Sequence, residues 1–340
     1  MFSPEELKRI LQESDVIKNV SIIKEAKLFE NVYQTVLQGE LVINERESFV
    51  VYIAVPEKWY RDLVDIYVAD YNELVYMPHI DNKGKLCLFE TEGILIDQNL
   101  PGIMMQSLLR AQTILKQGFS GENKNDFINE FELYWAQLKD CRIAHLAVET
   151  DRKNRIVKGA VKMNSKRKKE KQIEYIKRCK KAPIYIGENV ESLKRWNLEK
   201  TPVMNIAYFV IYSEKYIFPP DIRKKLSIDY LNALLHFVPE GELASIMPRS
   251  RQDRIIVFEI HQPSGQTHFV GMYIKGGMLK ETSLEKVEEL QPLLMERADK
   301  KFLMKRVTEQ DSENYKKKNT YNRLRFDWWT CYMRARKSRI

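Results

Sequence analysis

Cysteine is scarce in this chain, and no two cysteines stand close together. Cys87, Cys141, Cys179 and Cys331 are the four in 340 residues. None forms a CxxC pair, which excludes a disulfide framework or a cysteine zinc site and fits a reducing compartment. Histidines are also few. His145, His236, His261 and His268 show no pair at i and i+4 with a glutamate, so no metal site is expected. There is no internal repeat, no Gly- or Pro-rich linker and no G-x-G-x-x-G loop. Without that loop the chain lacks the backbone cradle that holds ATP phosphates, and no cofactor is expected. The longest apolar runs, FVVYIAV and IAYFVIY, are too short to span a bilayer. The opening MFSPEELKRILQES is not a secretory signal. A soluble, cytoplasmic protein without membrane contact is the expectation.

What the chain does have is positive charge and aromatic side chains. Lys and Arg number 56 against 47 Asp and Glu, a net charge of +9. The excess lies in DRKNRIVKGAVKMNSKRKKEKQIEYIKRCKK (151–181) and in the C-terminal KKKNTYNRLRFDWWTCYMRARKSRI. Nucleic-acid binding needs a basic surface that tracks a phosphate backbone. A basic run is more often a solvated connector, and we read it so, with nucleic-acid binding through 151–181 as an alternative. The shift in composition near residue 150 divides the chain into a first domain at 1–145, a basic connector at 146–181 and a second domain at 182–340. Trp328 and Trp329 fit best as anchors of a terminal helix.

Ser3, Pro4 and Glu6 carry the signature of a helix start, followed by Leu7, Ile10 and Leu11 at helical spacing. NVYQTVLQGELVIN, SFVVYIAV and DLVDIYVA read as strands. LPGIMMQSLLRAQTILKQG places Ile103, Leu108, Leu109, Ile114 and Leu115 near one helical stripe and is expected to end at Gly118. NDFINEFELYWAQL reads as a second amphipathic helix. In the second half, APIYIGE, MNIAYFVIYS and the pair RIIVFEIHQ/THFVGMYIKG read as strands, the pair joined by a turn at PSG. PDIRKKLSIDYLNALLHFV and SLEKVEELQPLLMERADKKFLMK read as helices, the latter interrupted at Pro292. Both halves are of the α+β class, with strands in runs and helices set apart from them.

The stretch YMPHIDNKGKLCLFE, from Tyr76 to Glu90, is the one place where chemistry concentrates. Taken alone, KLCLFE suits a buried, inert cysteine. Together with the Pro-His pair, the turn at NKG and the order of elements around it, the stretch resembles the ubiquitin-conjugating enzymes. In that family a helix and a four-stranded meander precede a Pro-containing motif, commonly His-Pro-Asn, and the catalytic cysteine follows the Asn by eight residues in an xCL sequence. Pro78 stands at the family's proline, and Cys87 precedes Leu88. His79 takes the place of the Asn and Met77 that of the His. The variant PHIDNKGKLCLFETEG, with the later DFINEFELYW, is similar to the bacterial conjugating-enzyme-like domains of CBASS anti-phage systems. The resemblance covers about residues 1–140. In fusion proteins of that kind a linker domain follows, and residues 182–340 resemble it loosely.

This resemblance implies a transferase in antiviral defence. Cys87 would carry a protein C-terminus, that of a cGAS-like nucleotidyltransferase, as a thioester and pass it to an amine. An activating-enzyme-like protein or domain would supply the activated donor, since no adenylating loop lies in this sequence. A thiolate suits such exchange because it both attacks and leaves readily. His79, and backbone N–H groups after NKG, are candidates to support the oxyanion formed when an amine attacks. Glu90, Glu92 and Asp97 follow Cys87 closely, but no family position maps onto them. The other reading is a catalytically inactive adaptor whose second domain docks partners or dimerises.

Overall fold

A computed structural model describes residues 2–29, 31–59, 62–89, 99–150, 153–162, 170–171, 173–174, 182–198, 201–247, 254–274 and 290–297. Helix α1 (Pro4–Gln12) begins as its sequence requires. The Ser3 hydroxyl accepts the Glu6 N–H at 3.2 Å, and the Glu6 carboxylate accepts the Ser3 N–H at 2.7 Å. Two otherwise orphaned donors are thereby satisfied. Leu7 and Leu11, one turn apart, are fully buried on the inner face of the helix.

Strands β1 (Ile17–Ile22), β2 (Lys27–Leu28), β3 (Asn31–Val32), β4 (Thr35–Val42), β5 (Ser48–Val55) and β6 (Asp65–Val68) follow. β1, β4, β5 and β6 form one antiparallel sheet in that order, and β2 and β3 pair separately on the path from β1 to β4. Alternate residues turn inward on β4, where Leu37, Gly39 and Leu41 are buried, the period expected of a sheet with one face on a core.

Helix α2 (Leu100–Ser120) covers that core with Leu100, Ile103, Met104, Leu108, Ala111, Ile114 and Leu115. Its N-cap is Asn99, whose side-chain oxygen accepts the Gly102 N–H at 3.2 Å. Leu109, expected on the inner stripe, is exposed. The helix also outruns its expected stop at Gly118. Gly121, at φ +75°, supplies the left-handed cap. Gly118 is inside the helix for another reason: a Cβ there would lie 2.5 Å from the Met77 sulfur, so its bare backbone makes room for the residue two before His79.

The described chain divides into two compact units, Met1–Phe127 and Ile128–Ile340. The division falls inside the short helix α3 (Asp126–Asn129), ahead of the boundary expected at 145. The second unit begins with the end of α3 and helix α4 (Phe131–Gln137), the expected single helix being broken at Glu130. Strands β7 (Arg142–Ala147), β8 (Arg155–Val161), β9 (Ile184–Gly187), β10 (Val203–Tyr212), β11 (Arg254–His261), β12 (Thr267–Ile274) and β13 (Leu290–Arg297) close into a barrel ordered β10-β11-β12-β13-β7-β9-β8. Antiparallel pairing of β8 with β10 completes the ring. Ile206, Tyr208, Val257, Ile186, Leu146 and Leu293 are among its core residues. Trp135 of α4 is fully buried, and its indole N–H donates to the Leu293 carbonyl at 3.0 Å.

Three expectations for this half are corrected. β7 and β8 lie across the 145 boundary and within the segment read as a connector, so Arg155–Val161 is barrel rather than linker. Most of the remaining basic run lies outside the described residues. LQPLLMER, read as part of a helix, is strand β13. Pro292 is accommodated because β13 pairs with β7 only from Leu293 onward, and at Pro292 it has β12 alone as neighbour. The expected helix at 220–238 forms only over Ile228–Leu235, after the Ser227 hydroxyl caps the Tyr230 N–H at 3.2 Å. It lies in the crossover between parallel strands β10 and β11, which need such a connection.

Candidate active site around Cys87

Cys87 is held by a tight turn hydrogen-bonded to the edge of the first sheet. Ile80 and Leu86 form an antiparallel bridge, flanked by hydrogen bonds from the Cys87 N–H to the His79 carbonyl and from the Asp81 N–H to the Lys85 carbonyl, both 2.9 Å. The turn between the arms is fixed by Asp81, whose Oδ1 accepts the N–H groups of Lys83 at 2.8 Å and Lys85 at 2.9 Å. Asx turns of this kind explain an aspartate before a glycine. Burial pushes the Asp81 carboxyl above its ordinary range, and those two N–H groups draw it back in part.

Gly84 is required twice. Its φ is +80°, and a Cβ would lie 2.7 Å from both the Tyr71 ring and the Val68 carbonyl oxygen. That close approach lets the Gly84 carbonyl accept the Val68 N–H at 2.8 Å, while the Leu86 N–H donates to Ile66, also at 2.8 Å. The arm carrying Cys87 is thus an extra, short strand on β6. Beneath it lie the phenols of Tyr33 and Tyr67, 2.7 Å apart, and the Asp65 carboxylate, which pairs with Lys85 at 2.8 Å. Burial raises both phenols above the ordinary tyrosine value.

Side chains alternate along this arm. Leu86 and Leu88 are buried in the core of the first unit, whereas Lys85, Cys87 and Phe89 keep exposed surface. Cys87 is half-buried between the two leucines, and Phe89 packs partly buried against the same core. The Leu88 carbonyl accepts from Arg110 Nε of α2 at 3.3 Å, so both sides of the cysteine are tied to the frame.

His79 lies directly across from Cys87 in the bridge and has φ +63°, a left-handed conformation uncommon for a residue with a side chain. Its Nε2 is 2.9 Å from Asp126 Oδ2. The two residues expected to act together are therefore joined through the backbone, and the His79 ring is engaged by a carboxylate. Sequence reasoning missed Asp126. The signal available was an acidic residue opening NDFINEF, but nothing local tells which side chain 47 positions earlier it reaches.

The other described cysteine and histidines belong to the second unit. Cys141 is in the second unit, where burial pushes its thiol up to about 12. His145 pairs with Glu296 at 3.2 Å, and His261 with the fully buried Glu259 at 2.8 Å. His268 stacks on Phe131. Among the described residues no group of three or more His, Cys, Asp or Glu is arranged to hold a metal, and no helix is long and apolar enough to cross a membrane. Cys179, Cys331, Trp328, Trp329, Glu90, Glu92 and Asp97 lie outside the described residues.

Comparison with known proteins adds one finding. Residues 19–143 match the family model described as prokaryotic E2 family B. That span takes in the sheet, the Cys87 turn, α2 and Asp126, and is similar to a bacterial conjugating-enzyme domain. No curated protein and no solved structure matches the chain.

Proposed function

We infer that the first unit is a ubiquitin-conjugating-like acyl carrier, in which Cys87 takes a protein C-terminus as a thioester and hands it to an amine. The observation that carries this reading is the setting of Cys87. It keeps exposed surface between two buried leucines, on an arm fixed at the edge of the sheet. A cysteine kept for packing would gain most by facing the core with Leu86 and Leu88. A nucleophile that must meet a bulky protein tail needs the opposite face. The helix α1, the four-stranded antiparallel sheet, the Cys87 turn and α2 follow in the order of the ubiquitin-conjugating fold, and the match to the prokaryotic E2 family supports the same activity.

The donor fitting the resemblance is a cGAS-like nucleotidyltransferase, charged by an activating-enzyme-like protein, in CBASS anti-phage defence. The test is reconstitution with such a donor, its activating enzyme and ATP. The wild type is expected to form an adduct that dithiothreitol releases. Cys87→Ser is expected to accumulate an adduct that resists dithiothreitol, because an oxygen ester exchanges poorly with thiols, and Cys87→Ala to form none. Equal adducts on all three proteins would remove Cys87 from the reaction. No adduct on any of them would leave the adaptor reading.

A further inference from the structure

We propose that Thr267, His261 and Glu259 form a hydrolytic site in the second unit, where the Thr267 hydroxyl attacks the carbonyl of a carboxylic ester. The proposal uses no residue of the Cys87 site and is independent of the acyl-carrier reading. The three side chains are linked by hydrogen bonds. Thr267 Oγ1 is 3.0 Å from His261 Nδ1, and His261 Nε2 is 2.8 Å from Glu259 Oε1. A carboxylate oxygen only accepts, so Nε2 carries the hydrogen and the Nδ1 lone pair faces the Thr267 hydroxyl. A hydroxyl held on a basic nitrogen, with that base oriented by a buried acid, is how a weak nucleophile is activated.

Strand register builds this arrangement. On β11, Val257 belongs to the barrel core, and a period of two puts Glu259 and His261 on the same face. His261 pairs with Thr267 across the β11–β12 hairpin, which brings base and hydroxyl together. Tyr208, on the neighbouring parallel strand β10, donates its phenol O–H to Glu259 Oε2 at 2.5 Å. Burial and the bond to Glu259 push that phenol above the ordinary tyrosine value, so it stays a donor and fixes the second oxygen. Glu259 is fully buried, whereas the His261 side chain is 19% exposed and Thr267 keeps part of its surface. A hydrocarbon side chain would serve barrel packing at least as well as an inward carboxylate, and could not orient an imidazole. Tyr212, 53% exposed, lies flat on that imidazole with ring centroids 4.5 Å apart, which offers aromatic surface to an aryl ester.

The reaction consumes one water. Thr267 Oγ1 bonds to the ester carbonyl carbon while its proton passes to His261 Nδ1. The ester C–O bond breaks, and the alcohol leaves with its electron pair and that proton. Water then gives a proton to Nδ1 and attacks the acyl-threonine. The bond to Oγ1 breaks, the proton returns to Oγ1, and the carboxylic acid departs.

The test treats the full chain with a fluorophosphonate, which phosphonylates activated hydroxyls with loss of fluoride, and maps the label by tandem mass spectrometry. The wild type is expected to carry it on Thr267. Thr267→Ser should keep the label and Thr267→Val should lose it. His261→Gln is expected to slow labelling by about 100-fold or more, the range of general base catalysis. Glu259→Gln should lower the saturating rate about 10- to 100-fold, with the half-saturating probe concentration within about twofold of wild type. A loss of folded protein would reduce the labelled amount and leave that rate unchanged. Phenyl acetate hydrolysis is followed in Cys87→Ala, so that the thiol takes no part, and should fall when Thr267→Val is added. No label on wild-type Thr267, wild-type labelling rates in His261→Gln or Glu259→Gln, or hydrolysis indifferent to Thr267→Val would each overturn the proposal. None of these results bears on Cys87.

Discussion

Iodoacetamide added to the native protein is expected to modify Cys87 well before Cys141, as read by peptide mapping of samples quenched over time. Both sulfurs are partly buried, so the expectation rests on thiolate supply. Only the thiolate reacts, and the Cys141 thiol is pushed by burial from an ordinary value of 9.0 to about 12. That shift lowers its thiolate fraction about a thousandfold relative to an ordinary thiol near neutral pH. The scarcer thiolate is more nucleophilic, which recovers roughly half of the difference on a logarithmic scale. A lag of about 30-fold behind an ordinary thiol remains from ionisation alone. Alkylation of Cys87 only after denaturant is added would mean that the sulfur is closed to reagents, and would favour the adaptor reading over the transferase.

Gly84→Ala is expected to destabilise the first unit by about 2–4 kcal/mol, adding left-handed strain to the cost of a forced contact. The contact is the deciding part. A methyl at Gly84 would lie 2.7 Å from the Val68 carbonyl oxygen, and a backbone atom in a sheet cannot swing aside as a side-chain end can. Gly121 offers the control. Its φ of +75° is nearly the same, but nothing lies within 4 Å of the position a Cβ would take. Gly121→Ala should therefore cost only the conformational strain, about 1–2 kcal/mol. Urea unfolding of both variants reads the difference directly. Equal losses would show that Gly84 is there for its φ alone and that the arm does not press against β6. A larger loss at Gly84 should also reduce loading of Cys87, since the Gly84 carbonyl fastens that arm to Val68.

Local signals in the sequence carried over to the structure where local chemistry decides. Ser3 and Glu6 mark the start of α1, and their reciprocal bonds are present. PSG joins β11 and β12 as expected, with Gly265 at φ +82°. The runs TVLQGELV and SFVVYIAV are β4 and β5. Cys87 stands out in the sequence because proline, histidine, turn and cysteine come at a characteristic spacing. Features set by distant partners were not legible. LQPLLMER has apolar residues that satisfy a helical period as well as a buried strand, and only its pairing with β12 and with β7, about 150 residues earlier, decides for the strand. Arg155–Val161 carries two basic residues, Arg155 and Lys158, and is flanked by more, so composition places it with the basic run, although Val157 and Ala160 are fully buried. Asp126 illustrates the same limit within the site, because a long-range ion pair leaves no trace in local pattern.

The most direct measurement is the intact mass of the protein under non-reducing conditions after incubation with a short peptide α-thioester ending in glycine. One peptide adduct is expected on the wild type, lost on treatment with dithiothreitol and absent from Cys87→Ala. The same thiol-labile adduct on Cys87→Ala, or none on the wild type, would contradict the account.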